Sequence, residues 1–192
     1  MTVGVLGLQG AVREHVRSLE RLDVATRVVK RMEDLDGLDG LVLPGGESST
    51  MSLLGEDGIF ELLKAKIHDG FPVFGTCAGM ILLAREAAGR QLPGLDAIDI
   101  AVARNASGRQ VDSFETTLDV DGIGPDVPAV FIRAPYVTRL GETVTPMARH
   151  DGFAVMAREG RVLVASFHPE LTDDLRVHEY FIEELVKKEE NR

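Results

Sequence analysis

The stretch "FPVFGTCAGMILLA", residues 71–84, contains an apolar run, a cysteine set among small residues and a second apolar run. A short apolar run bounded by Gly and Pro reads as a buried strand, and "AGMILLAREAAG", residues 78–89, reads as the helix that follows it. Strand, tight turn and helix in that order are the repeating unit of a parallel sheet. Cys77 is the only cysteine in the chain. Two readings of it stand at this point. Unpaired cysteine is a common small core residue, yet this one lies at a strand-to-helix turn, where a side chain can be lifted above the sheet edge.

Working outward, the segments before it repeat the alternation. "TVGVLGL" (2–8) is a strand, and "AVREHVRSLERLD" (11–23) a helix with Val12, Val16, Leu19 and Leu22 at helical spacing. "ATRVVK" (25–30) is a second strand, "LDGLVLPGG" (38–46) a third that stops at Pro44, and "GIFELLKAKIHDG" (58–70) a helix. Such alternation implies parallel crossover units, with helices covering both faces of a sheet. After Gly94 the pattern changes. "AIDIAVARN" (97–105), "FETTLDVDG" (114–122), "AVFIRAP" (129–135), "TPMARHDG" (145–152), "FAVMAREG" (153–160) and "RVLVASFHP" (161–169) are β segments separated by turn signals. They predict antiparallel strands added in the second half. "DDLRVHEYFIEELVKKEE" (173–190) closes the chain as a helix with Leu175, His178, Phe181, Ile182, Leu185 and Val186 on one side. The expected class is α/β with a mostly parallel central sheet. No repeat, low-complexity tract or linker divides the chain, so a single domain over 1–192 is expected.

Composition narrows the function classes. A chain of 192 residues can bury roughly 70% of its unfolded surface without staples. The formal net charge is −10 and no basic block interrupts it, which disfavours nucleic acid and anionic membrane surfaces as partners. Apolar runs stop well short of the ~20 residues a bilayer requires, and "MTVGVLGLQG" lacks the form of a secretion signal. A lone cysteine allows no intramolecular disulfide and agrees with a reducing compartment. A cytoplasmic protein is expected.

Gly75, Cys77 and Gly79 form G-x-C-x-G, the thiol counterpart of the serine nucleophile elbow. The N-terminus of the following helix carries partial positive charge, which favours a thiolate. A thiol nucleophile needs a base and a group to orient that base. Of five histidines, His15 and His178 lie on predicted helices, His68 near a helix end and His150 before a turn, all contexts for surface or packing roles. His168 differs. "VLVASFHPE" (162–170) brings an apolar strand to its end and then presents His168, Pro169 and Glu170. In extended chain, residues two apart share a side, so Glu170 can flank the imidazole. Ligands of parallel sheets collect at the carboxyl ends of strands, where both "FGTC" and "SFHPE" fall. "LVLPGGESST" (41–50) adds Gly45 and Gly46, whose N–H groups can approach a developing oxyanion. The alternative of a phosphate cradle there lacks G-x-x-x-x-G-K-[ST], and "GVLGLQG" lacks G-x-G-x-x-G. No metal-ligand spacing stands out, and no cofactor is expected.

With those three pieces in place, the sequence resembles the class I (triad) glutamine amidotransferases. Over nearly the whole chain "GVLGLQGAVREH", "LPGGESSTM", "FGTCAGM", "ARNASGRQVDSFE", "VFIRAP" and "SFHPELTDD" resemble, in order, the family of glutaminase subunits of pyridoxal 5′-phosphate synthase. "GTCAG" and "HPE" signal the class, whereas "LGLQGAVREH" and "RNASGRQVDSFE" are much more specific and point to that family. The resemblance implies a flavodoxin-like three-layer sandwich that hydrolyses L-glutamine and passes ammonia to a synthase subunit in a large hetero-oligomer. It implies Cys77 as nucleophile, His168 as general base and then acid, and Glu170 as the residue orienting His168. It further implies glutamine contacts at Gly46, Glu47, Ser48, Arg104, Ile132 and Arg133. Gly46 would help form the oxyanion hole, and Gln9 lies in a loop that organises it on docking. No role carries over to Tyr136 or to residues 141–152.

Three other readings share parts of this pattern. One is the glutaminase of another ammonia-transfer enzyme, such as imidazole glycerol phosphate synthase. Another is a cysteine-dependent stress or peptidase protein with a similar elbow, against which the distant "HPE" argues. The third is a non-catalytic partner-binding module of the same fold, against which the presence of all three triad residues argues.

Overall fold

The computed structural model describes residues 1–7, 10–46, 58–88, 94–104 and 113–188, the side chain of Arg104 excepted. Strands β1 (Thr2–Leu6), β2 (Ala25–Val29), β3 (Gly40–Leu43) and β4 (Val73–Thr76) are joined to β12 (Val162–Ala165) in the order β2-β1-β3-β4-β12, all parallel. From β12 the sheet continues through β11 (Phe153–Glu159), β9 (Pro135–Leu140), β6 (Ile98–Arg104) and β5 (Ala84–Ala87), with β10 (Thr145–His150) also pairing β11. The β12-β11, β11-β9, β9-β6 and β10-β11 pairings are antiparallel, whereas β5 runs parallel to β6. The central sheet is therefore mixed and mostly parallel, as the alternation of segments predicts.

Helices cover both faces because the strands are apolar on both. Along β3, Leu41 and Leu43 enter one core and Val42 the other. Along β12, Val162 and Val164 face the first core, and Leu163 and Ala165 face the second. On the first face lie α2 (Ile59–His68), through Ile59, Leu63 and Ile67, and α3 (Ala78–Leu83), through Met80 to Leu83. On the second lie α1 (Val12–Glu20), through Leu19, and the C-terminal helix, through Val177, Phe181, Ile182 and Leu185. These layers are those of a flavodoxin-like sandwich. Phe74, Phe167 and Phe181 are fully buried on the second face, each contributing about 1.5–3 kcal/mol by leaving water.

Three local expectations differ from the structure. The helix predicted over 78–89 ends at Leu83, and Ala84–Ala87 forms β5 instead. Ala84, Arg85 and Glu86 favour helix intrinsically, but the backbone groups of β5 find a parallel partner in β6, where Ala84 pairs with Ile98. "FETTLDVDG" and "AVFIRAP" do not join the central sheet. As β7 (Phe114–Val120) and β8 (Gly124–Phe131) they form a separate two-stranded ribbon that packs Leu118, Val120, Val127, Ala129 and Phe131 on the second face. The terminal helix is α4 (Arg176–Tyr180) followed by a π-helical turn over Phe181–Val186. Its wider winding is marked by the Lys187 N–H donating to the Ile182 carbonyl at 2.9 Å. Arg161 closes this end by donating to the Leu185 and Val186 carbonyls at 2.8 and 3.1 Å. β9, "PYVTRL", shares only Pro135 with the segments that the sequence pattern singles out.

Candidate active site

Cys77 follows β4 directly and has φ 49° and ψ −105°, a left-handed backbone for a residue that is not glycine. Such conformations cost of order 1–3 kcal/mol and persist only where neighbours hold them. Here the Cys77 N–H donates to the Ala165 carbonyl of β12 at 2.9 Å, and the Ile81 N–H donates to the Cys77 carbonyl at 3.3 Å. The flanking glycines explain themselves sterically. A Cβ on Gly79 would overlap the Leu43 carbonyl, and one on Gly75 would lie 2.7 Å from the Gly79 carbonyl carbon. The elbow therefore closes only with small residues at both places.

The parallel pairing of β4 with β12 sets Thr76 opposite Ala165. Cys77 and His168 thus leave adjacent strand ends despite their separation in sequence. The His168 N–H donates to the Val130 carbonyl of β8 at 2.8 Å, so the ribbon anchors the base. Glu170 reaches His168 by a route other than the expected extended chain. Pro169–Leu171 forms a tight helical turn, and the Glu170 Oε1 lies 2.7 Å from His168 Nδ1. The Cys77 and His168 side chains converge on Gly45. A Cβ there would be 2.7 Å from His168 Cε1 and 3.0 Å from the Cys77 Cβ. A side chain at residue 45 would fill the space where thiol and imidazole meet.

Burial alone would lower the His168 pKa, but hydrogen bonds to Cys77 and Glu170, together with their negative charge, outweigh it and raise the value to about 10. An imidazolium held beside the sulfur is the electrostatic partner that a thiolate requires. The Glu170 carboxylate, buried against the ring, supplies the compensating charge.

Gly46 is exposed at the end of the β3 loop, beside Gly45. The Gly45 N–H is already engaged, donating to Thr76 Oγ1 at 3.2 Å. Of the two glycines expected to offer N–H groups to an oxyanion, Gly45 is therefore committed elsewhere. Arg104 ends β6 opposite Pro135, while Ile132 and Arg133 follow β8, the strand that holds the His168 N–H. Arg133 has φ 44°. Gln9, Glu47 and Ser48 lie outside the described residues. Among the described residues, no group of three or more His, Cys, Asp or Glu is placed to hold a metal ion, and no helix is long and apolar enough to cross a membrane.

Three further residues join this site that the sequence pattern does not mark. His15 and His178, expected in surface or packing roles, are wholly buried, as is Thr76. His15 Nε2 lies 3.2 Å from Thr76 Oγ1 and 3.4 Å from Glu170 Oε2, and its Nδ1 lies 2.9 Å from His178 Nε2. A signal for their burial exists in the sequence: His15 occupies the same helical stripe as Val12 and Leu19, and His178 the same stripe as Phe181, Ile182 and Leu185.

The SNO glutamine amidotransferase family matches residues 5–187. A protein of Carboxydothermus hydrogenoformans named pyridoxal 5′-phosphate synthase subunit PdxT is 52% identical over 189 residues, covering 97% of this chain and 99% of its own. A protein of the same name from Halalkalibacterium halodurans is 54% identical over 187 residues, covering 97% and 95%. A crystal structure described as a glutamine amidotransferase superposes with a TM-score of 0.89 at 48% identity, covering 94% of this chain and 97% of the other. The structure of PurLQS from Thermotoga maritima, at 16% identity and a TM-score of 0.64, shares the fold. With a family match running from the first strand to the C-terminal helix, the chain belongs to the SNO glutamine amidotransferase family.

Proposed function

We propose that this chain is the glutaminase subunit of a pyridoxal 5′-phosphate synthase, with Cys77, His168 and Glu170 as its triad. The observation that carries the reading is the convergence of the thiol and the Glu170-bound imidazole on Gly45. The Cys77 thiolate attacks the side-chain carboxamide carbon of glutamine, forming a C–S bond and a tetrahedral oxyanion. His168 gives its proton to the departing nitrogen, which leaves as ammonia. His168 then accepts a proton from water as that water attacks the glutamyl thioester, releasing glutamate and restoring the sulfur.

Because the Gly45 N–H is bound to Thr76, the oxyanion donor from this loop is the Gly46 N–H, with Gln9 helping to organise it. Gly10, the next residue in sequence after Gln9, packs against the Gly45 carbonyl, which supports that role. Glu47, Ser48, Arg104, Ile132 and Arg133 hold the substrate. The whole chain, residues 1–192, acts as one amidotransferase domain in the cytoplasm, where its single cysteine stays reduced.

Ammonia released into water is protonated and loses its nucleophilicity, so an acceptor must be docked. The names of the relatives support a pyridoxal 5′-phosphate synthase subunit as that acceptor, within a hetero-oligomer. The test is glutamate release by the chain alone and with the purified synthase subunit. Little turnover alone and strong activation by the partner are expected. Equal turnover in both would overturn the coupling, and no turnover in either would overturn the function.

A further inference from the structure

We propose that His15 is a positioning residue for the triad: as a neutral Nε2–H tautomer set by His178, it orients Glu170 and ties that carboxylate through Thr76 to Gly45. The inference rests on reading Cys77, His168 and Glu170 as the triad.

The tautomer follows from the partners. His15 Nε2 faces Glu170 Oε2 at 3.4 Å and Thr76 Oγ1 at 3.2 Å. The Thr76 hydroxyl can donate or accept, but a carboxylate oxygen only accepts and would repel a bare Nε2 lone pair, so Glu170 favours the proton on Nε2, from which it is donated to Thr76 Oγ1. His15 Nδ1 is then an acceptor, and His178 Nε2, 2.9 Å away, is its donor. That leaves His178 Nδ1 as a lone pair, and this atom is buried without a partner. A buried bare acceptor is tolerated better than a buried unpaired N–H, so the assignment also accounts for the orphan atom. Burial, followed by the proximity of His178 and His168, holds the His15 pKa well below its ordinary value, and burial lowers that of His178 to about 4. Neither ring competes with His168 for charge.

The network reaches Gly45 from two sides. Thr76 Oγ1 accepts from the Gly45 N–H and faces His15 Nε2. Gly10, just before α1, packs on the Gly45 carbonyl. The segment from Gly10 to His15 therefore touches the Gly45 carbonyl directly and reaches its N–H through Thr76. Glu170 Oε2 is buried and makes no hydrogen bond, and His15 Nε2, 3.4 Å away, is the polar group that faces this oxygen.

The experiment combines kinetics of the complex with proton NMR of the isolated chain. The His168 Nδ1 proton, bonded to Glu170, is assigned by its loss in His168→Gln. In His15→Leu we expect kcat for glutamate release to fall about tenfold or more, with KM for glutamine unchanged and the His168 resonance moved upfield. His15→Gln, whose amide nitrogen can occupy the place of Nε2, restores most of the rate and the resonance. His15→Asn, whose nitrogen falls near Nδ1, restores neither. His178→Leu keeps the packing on Phe74 but frees the tautomer, giving a smaller loss in the same direction and a second test should His15 variants fold poorly. Equal behaviour of His15→Leu and His15→Gln would overturn the proposal, as would an unmoved resonance in both leucine variants. An inactive wild-type complex would instead overturn the glutaminase reading, while the resonance still tests the contact.

Discussion

The two halves of the central sheet differ in what they bring together. In the parallel half, β3, β4 and β12 come from distant parts of the chain yet end side by side, delivering Gly45, Cys77 and His168 to one edge. In the antiparallel half, hairpins join sequence neighbours, as where Asp151 and Gly152 turn β10 into β11 with φ 48° and 83°. That half supplies none of the triad, and it is the separate β7-β8 ribbon that anchors the site, through Val130. Parallel pairing concentrates chemistry because every strand points the same way, whereas hairpins alternate direction and disperse it.

The sharpest way to break this contrast is to alter the parallel edge and measure partner-dependent glutamate release. Cys77→Ala abolishes it, and Glu170→Gln lowers kcat by a factor on the order of 10⁴, as removal of the orienting carboxylate does in serine triads. Retention of most activity by Glu170→Gln would remove Glu170 from the triad.

The buried histidines around Glu170 give an electrostatic version of the contrast. His168, raised to about 10, holds a proton that the unfolded chain releases near 6.5. Its contribution is full below about 6.5 and is lost as pH climbs through about 10. His178, lowered to about 4, acts in the opposite sense: its contribution is full above about 6.5 and is lost as pH falls through about 4. Denaturant unfolding across pH checks both. The stability gap between wild type and His168→Gln closes on the alkaline side, and His178→Phe is spared part of the acid-side loss. A gap independent of pH would contradict the assignment.

Glycines offer the mildest comparison. Gly79→Ala, whose Cβ would overlap the Leu43 backbone, lowers stability by about 3 kcal/mol. Gly152→Ala meets no atom within 4 Å and costs about 1 kcal/mol for its left-handed backbone. Urea midpoints of the two variants measure the difference, and equal losses would contradict the steric account of the elbow.

The parallel half is legible in the sequence because β1, β3, β4 and β12 are short apolar runs, most of them closed by Gly or Pro and followed by a helical stripe, while β2, which carries Thr26 and Arg27, is read from its place in the alternation. Cys77, His168 and Glu170 are legible for the same reason, since each sits just past such a run. β5 is hidden because Ala84, Arg85 and Glu86 favour helix, and only β6 makes them a strand. The β7-β8 ribbon reads as strands, but its separation from the central sheet depends on packing between distant segments. His15 is hidden in the same way: a histidine in an apolar stripe reads as packing until the residues it faces are known.

The most direct test of the central claim is the mass of the chain after reaction with a diazo-ketone analogue of glutamine in the presence of the synthase subunit. The account predicts a single adduct on Cys77, blocked by excess glutamine and accompanied by loss of glutamate release. An adduct mapped elsewhere, or full activity with Cys77 modified, would contradict it.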